Sequence, residues 1–301
     1  MASGLLAATV SSFEVPTYTQ ISIRVAPEGL AWAYASNAMD VVLDVTMRNI
    51  SLQSVQALSA LAWYYFGTLN PQQSFMLSAA AMRLSHAIGL HDQDSDLSTR
   101  PAEKKLRNRV FWIAWIMDHQ TCFRTGRPLS HNAKDFNIAL PSTFGEQSRS
   151  VVTDARGAMA SRVFNNNIQL SLIEADIHHQ LYSNLSASNT DEKITCSQNL
   201  DGKLQAWWHA LPALCQSESV SGIAANDIQL ELLRLHLRYQ HCVILIHRVS
   251  GLHDYWAPRW DLLPSNISPD LHGTVSKCVS AARSIVQLLD LVPKREESLQ
   301  W

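Results

Sequence analysis

Residues 101–123 read PAEKKLRNRVFWIAWIMDHQTCF, and no other stretch limits the fold as strongly. Leu106, Val110, Ile113 and Met117 recur at helical spacing and make one apolar stripe. Phe111 and Trp115 begin a second stripe on the adjacent face. A helix apolar over so much of its circumference is stable only when other elements enclose it. It is therefore expected at the centre of an all-α domain. Its end is legible too. Gly126 supplies a left-handed stop, and Arg127-Pro128 keeps the chain from resuming as helix at once. Upstream, Leu77, Ala80, Ala81, Leu84 and Ile88 hold helical spacing before Gly89, after which Leu90 can fold back on the last turn.

The rest of the chain reads as further helices. Residues 1–30, with Pro16, Pro27 and Gly29, are expected as loop or fraying terminus, and 31–48 as one short helix holding Trp32, Met39, Val42 and Leu43. Ser51 caps a helix over 51–66, with Val55, Leu58, Ala62 and Phe66 along one face. Asn70 caps the next, with Pro71 in the first turn where no backbone donor is missed. The two make an αα-hairpin that resembles one tetratricopeptide unit, but no second unit follows at that period, which argues against a solenoid.

Residues 155–185 carry Met159, Val163, Leu170, Ile173, Ile177, Leu181 and Leu185 at helical spacing, with the polar run Asn165-Asn166-Asn167 as an expected break. A helix over 194–208 ends at Leu211-Pro212. Asn226 and Gln229 form a capping-box pair for a helix that runs to Gly251. Ser268-Pro269 opens the last helix, where Leu271, Val275, Cys278, Ala282, Ile285 and Leu289 are expected inward, and Pro293 stops it. No alternating strand pattern of useful length occurs. The fold class is accordingly an all-α, multi-helix bundle of packed helical hairpins around a central buried helix. Residues 1–49 form an N-terminal segment, partly disordered or residual helix; 50–293 form the folded domain, and 294–301 a tail.

Composition narrows the class of protein. A chain of 301 residues buries about three quarters of its unfolded surface, as one large domain or two. Hydrophobic residues at 47% mark it as globular, and a formal net charge of −2 is unlike that of a domain gripping a DNA backbone. Five scattered cysteines (Cys122, Cys196, Cys215, Cys242, Cys278) with no Cys-x-x-Cys pair suit a reducing compartment and argue against a disulfide framework or a zinc site. The N-terminus has no basic n-region, and no segment is apolar enough for long enough to span a membrane.

Reactive constellations are poor. His178 and His179 point about 100° apart on a helix, and His236 and His241 are five residues apart, so neither pair converges on a metal. There is no Gly-x-Ser-x-Gly elbow, Ser85 and His86 face apart, and phosphate-cradling glycine motifs are missing. Asp92, Asp94 and Asp96 imitate the start of a calcium loop, but Leu97 stands where glycine is needed and no glutamate closes it. Lys104, Lys105, Arg107 and Arg109 open an otherwise apolar helix and read as a solvated or ion-paired start. Trp63-Tyr64 and Trp207-Trp208 are the candidates for lining a small-molecule effector pocket, weighed against plain core packing. No catalytic residue, metal ligand or cofactor is assigned.

An ordered set of motifs then points to a family. The stretch 76–141 holds Arg83, Ile88-Gly89-Leu90-His91, a helix with Glu103, Arg109, Val110, Phe111, Trp112 and Asp118, then Gly126-Arg127-Pro128, and a closing Asp135, Ile138 and Pro141. Farther on come Leu200, Asp201, Leu204 and Trp207 before Leu211-Pro212, and a Leu-His-Leu to Leu-Ile-His-Arg helix. In this order the pattern resembles the middle homology region, the regulatory domain, of fungal zinc-cluster transcription factors, with echoes over 50–293.

The resemblance implies a non-catalytic regulatory domain in the nucleus that modulates RNA polymerase II transcription. Zinc and DNA binding belong to the family's six-cysteine module, which these residues do not include, so the chain is expected to be a truncated regulator touching DNA only indirectly. Protein partners, a homodimer or a small-molecule effector are the implied contacts, with no membrane. The alternatives are a helical interaction scaffold or an enzyme with an unrecognised site. Within the motif set, Asp118 stands deep in the apolar helix, so a cation is expected beside it. Arg127 ranks first, then Arg238, then Arg83.

Overall fold

The computed structural model describes residues 28–68, 70–93, 100–131, 135–141, 155–183, 190–211, 227–252 and 269–290. Their regular structure is helical throughout: α1 (Glu28–Met39), α2 (Val42–Met47), α3 (Leu52–Phe66), α4 (Pro71–Ala87), α5 (Pro101–Thr125), α6 (Ala155–Ile177), α7 (Thr190–Ala210), α8 (Asp227–Leu252) and α9 (Pro269–Leu289). They divide into two compact units, one reaching Ile168 and the other beginning at Gln169, so the division falls within α6.

In the first unit, α3 and α4 form the expected hairpin and α5 packs against both. The caps are those the sequence announces. Ser51 Oγ accepts from Ser54 N–H at 3.2 Å and Asn70 Oδ1 from Gln72 N–H at 3.1 Å, each satisfying a donor the first turn would otherwise leave open. Gly89 (φ 70°) ends α4 in a Schellman turn, with Leu90 N–H bonded to Ser85 O at 2.9 Å and Gly89 N–H to His86 O at 3.0 Å. Leu90 is buried as the motif requires. Gly126 (φ 65°) ends α5 in the same manner, with Arg127 N–H reaching Cys122 O at 3.0 Å.

Between these stops α5 is enclosed. Ala114, Trp115, Ile116, Met117, Asp118 and His119 are consecutive and all buried. Six residues turn through more than a full circle of helix, so packing surrounds α5 on every side. Residues 31–48 differ from expectation. They belong to two helices, α1 and α2, broken near Asp40, and the N-cap of α2 is Val41, which offers no side-chain cap.

In the second unit, α8 packs against α7 and α9. Leu200 and Leu204 of α7 and Cys242 and Ile246 of α8 are fully buried. The final turn of α6 widens to a π-turn over His178–Tyr182, closed by Ser183 N–H to His178 O at 2.8 Å.

Two further expectations fail. The polar run at 165–167 does not break α6, because its amides find partners sideways: Asn165 Nδ2 donates to Pro141 O at 2.8 Å and Asn167 Oδ1 accepts from Gln120 at 3.2 Å. The inward stripe of α9 is also misplaced. Ala281 and Leu288 are buried, whereas Val275, Ala282 and Leu289 face out with Val279 and Val286. A helix with apolar residues on more than one face leaves the buried side undetermined by spacing alone. The expected caps and stops at Asn226, Pro212, Ser268 and Pro293 lie outside the described residues, as do Asp94, Asp96 and Leu97.

Candidate functional site

Several motif positions of the first unit, among them His91, Trp112 and Asp135, lie where the end of α4 and the first half of α5 meet residues 135–141. These residues run as a strap tied at several points. Ala139 O accepts from Asn108 Nδ2 at 2.8 Å and from Trp112 Nε1 at 3.0 Å, both on α5. Asn137 N–H donates to His91 O at 3.2 Å and Ala139 N–H to Gln93 Oε1 at 3.2 Å, while Gln93 N–H donates back to Asn137 Oδ1 at 2.8 Å. The strap's Phe136 sets its ring against Phe111, Trp112 and Trp115, with centroids at 5.1, 5.5 and 6.1 Å. Trp112 thus has an anchoring role, its ring in the core and its N–H on the strap.

Asp118 is fully buried, and its partners among the described residues are not the expected arginines. Oδ1 accepts from Ser78 Oγ at 3.3 Å, Oδ2 accepts from Ser130 Oγ at 2.9 Å, and His131 Nδ1 lies 3.3 Å from Oδ2. Arg127 instead lies over the Phe75 ring, 4.4 Å from its centroid. The reason is local. The left-handed turn at Gly126 folds the Arg127 backbone onto Cys122, and residues farther along, Ser130 and His131, return to the carboxylate. Arg238 is bonded to Glu174 in the second unit, and Arg83 is exposed on α4.

The remaining motif residues have structural tasks. Burial lowers the Arg109 pKa, and its guanidinium faces the Phe164 ring 5.9 Å away. Arg107 Nη2 donates to Ile88 O at 2.9 Å, occupying one carbonyl at the end of α4. Pro128 and Asp135 are exposed. His91 joins His86 and His131 in a group that sequence reasoning missed; His86 drew notice only as the neighbour of Ser85. Burial lowers the His86 pKa first, the His91 and His131 rings lower it further, and Asp135 and Asp118 oppose the change. Burial pushes the Cys122 thiol up to about 12, with Asp118 adding to the effect and Arg127 opposing it.

Ser130, His131 and Asp118 have the composition of a catalytic triad but not its geometry. Ser130 Oγ is 3.3 Å from His131 Nδ1, the same nitrogen that faces Asp118. A relay needs the serine on one ring nitrogen and the carboxylate on the other, so this imidazole cannot pass a proton between them. Among the described residues no group of three or more His, Cys, Asp or Glu side chains is arranged to hold a metal ion.

The proposed pocket aromatics belong to different units. Trp63 stacks on Phe66 at 5.8 Å and Tyr64 sits edge-on to Tyr65 at 5.1 Å, both in the first. In the second, Trp208 stacks on Tyr239 at 4.2 Å with His236 edge-on at 5.1 Å, and buried Trp207 lies 6.3 Å from the same Tyr239. That unit also holds two charge clusters not foreseen from sequence. Arg238 binds Glu174 through both carboxylate oxygens, at 2.9 and 2.6 Å, with Ser171 Oγ at 2.6 Å. Asp201 receives Lys277 Nζ at 3.0 Å and lies 3.3 Å from His247 Nε2, and these partners, His247 foremost, hold its carboxyl down at about 2.

Comparison with known proteins identifies the family these motif positions belong to. The family described as "Fungal specific transcription factor domain" matches residues 6–209, more than half of the chain. The chain is 34% identical to an ABC-transporter-regulating transcription factor of Aspergillus fumigatus over 278 residues, which is 90% of this chain and 31% of that protein. The same figures hold for a namesake in Aspergillus oryzae. It is 35% identical to the fusaridione A cluster transcription factor fsdR of Fusarium heterosporum, covering 91% of this chain and 51% of that one. The chain therefore spans between about a third and a half of the length of these relatives. No solved structure matches it. With its motif positions serving as helix stops, strap anchors and core, the chain belongs to the fungal specific transcription factor domain family.

Proposed function

We propose that residues 50–293 act as the regulatory domain of a fungal transcription factor in the nucleus, modulating RNA polymerase II transcription and catalysing no reaction. The observation that supports this most is the family match across 6–209, together with motif residues spent on holding the fold. Reading DNA falls to a separate module, since this chain carries a net charge of −2 and no closely spaced cysteines. Half-buried Trp208, stacked on Tyr239, is the side chain we assign to a small-molecule effector.

Tethering the chain between a heterologous DNA-binding module and an activation domain tests the reading. Reporter output should change severalfold relative to the tether without the chain, and unchanged output would remove the regulatory assignment. Anisotropy titration of the chain alone should show no preference for one duplex over scrambled competitors. A second reading, a helical interaction scaffold, is favoured by the outward Val275, Val279, Val286 and Leu289 of α9. Val279→Glu with Val286→Glu should then abolish recovery of any protein partner in pull-downs without altering the reporter.

A further inference from the structure

Three imidazoles meet under the strap: His86 from the last turn of α4, His91 from the turn that follows, and His131 from the segment after α5. The His86 ring is edge-on to His91 at 5.1 Å and to His131 at 6.2 Å. His86 Nε2, His91 Nδ1 and His131 Nε2 are all buried without a hydrogen-bond partner. Edge-to-face contact of this kind suits neutral rings. One positive charge has a buried counter-ion ready, because Asp118 Oδ2 stands 3.3 Å from His131 Nδ1. A second charge has no buried counter-ion among the described residues. Asp135, the other carboxylate that acts on His86, is exposed. On α5 the charge nearest the end of α4 is Arg107, bonded to the Ile88 carbonyl, and on α4 itself Arg83 lies one turn back, exposed. Both are cations and cannot balance an imidazolium.

We propose that this three-histidine cluster is an acid-sensitive latch, in which proton uptake at His86 frees the strap, residues 135–141, from the end of α4 and from α5. The coupling is direct. His91 O holds the strap at Asn137, and His131 lies in the chain that leads into it. An imidazolium at His86 faces the His131 ring with no buried carboxylate of its own, which loosens the end of α4 where His91 holds the strap. Release removes Phe136 from Trp112 and Trp115 and withdraws Ala139 O from Trp112 Nε1. Pro141 O, which Asn165 of α6 grips, goes with it. The His86 pKa is lowered, so its ring is neutral at pH 7 and charges only below the ordinary 6.5. The folded clasp is complete above that pH and is lost as pH falls below it.

Amide hydrogen exchange on the full chain, corrected for intrinsic rates, tests the latch at Asn137 and Ala139. Between pH 7.5 and 5.5 protection at both amides should fall severalfold, up to the roughly tenfold that one proton taken up at the ordinary 6.5 supplies over that range, while α8 amides hold theirs. His86→Gln should keep the protection at both pH values. His91→Gln removes one ring that disfavours the charged His86, so its loss should begin at higher pH than in the wild type. Equal protection at pH 7.5 and 5.5 in the wild type overturns the proposal. So does an acid loss that His86→Gln leaves intact, or a His91→Gln profile displaced to lower pH. Circular dichroism at pH 7.5 identifies a variant that fails to fold, and the other variant with the wild-type profile then carries the decision.

Discussion

Glu174 and Arg238 offer the sharpest energetic test in the second unit. The carboxylate side chain is 1% exposed and the guanidinium 17%, and the two share a bidentate pair at 2.9 and 2.6 Å. Arg238→Met fills similar space but strands a charge with almost no access to water. Breaking a buried pair from one side costs roughly 3–5 kcal/mol. Glu174→Leu should cost less, about 2–3 kcal/mol, because Arg238 keeps Ser171 Oγ at 2.6 Å and some solvent. The double variant leaves two apolar side chains in place of two ions and should recover about half of the summed loss, giving a coupling energy of about 2–4 kcal/mol. Urea unfolding of the full chain and the three variants, followed by circular dichroism, measures all four corners. A loss below about 1 kcal/mol for Arg238→Met, or a double variant as unstable as the sum of the singles, would mean that the pair is solvated and the burial argument wrong.

Other outcomes follow from the same geometry. Asp118→Ala should cost about 2–3 kcal/mol by urea melts, less than if it left an arginine stranded, because its donors are hydroxyls that can turn elsewhere; a loss below about 1 kcal/mol would refute the buried contacts. Gly126→Ala should cost about 1 kcal/mol from the left-handed backbone alone, as no atom lies within 4 Å of an added Cβ, and Gly126→Asn should cost less; equal costs for the two would refute this. Asp201 has its carboxyl lowered from 3.8 to about 2, so its contribution is complete above pH 3.8 and lost as pH falls toward 2. Asp201→Asn should flatten the stability profile across that window, and an unchanged acid limb would dismiss the His247 and Lys277 pairing.

The parts of the fold legible in sequence were those written by local chemistry. Ser51, Asn70, Gly89 and Gly126 act on their own turns, so residue type and position announced them. The enclosure of α5 was legible because apolar residues on every side of a helix have only one use. What escaped depends on which distant residue arrives. Asp118 demanded a partner, but whether Arg127 or His131 returned to it hinges on the direction in which the chain leaves Gly126. The α9 face was misjudged because Ala281 and Leu288 are as apolar as the stripe beside them. Asn165 to Asn167 looked like an interruption because their partners, Pro141 and Gln120, are remote in sequence. His86, His91 and His131 carry no spacing that marks them as a group.

The cysteines give the molecule a built-in pair of clocks. Cys122 is buried in the first unit and Cys242 in the second, and burial pushes both thiols far above neutrality. Only the thiolate reacts with an alkylating reagent, so each is silent while its own surroundings stay closed. Cys122 is modified only when α5 parts from its neighbours, and Cys242 only when α8 does. Mass-spectrometric reading of the two labelling rates therefore times the opening of each unit separately, in one sample and without an engineered cysteine.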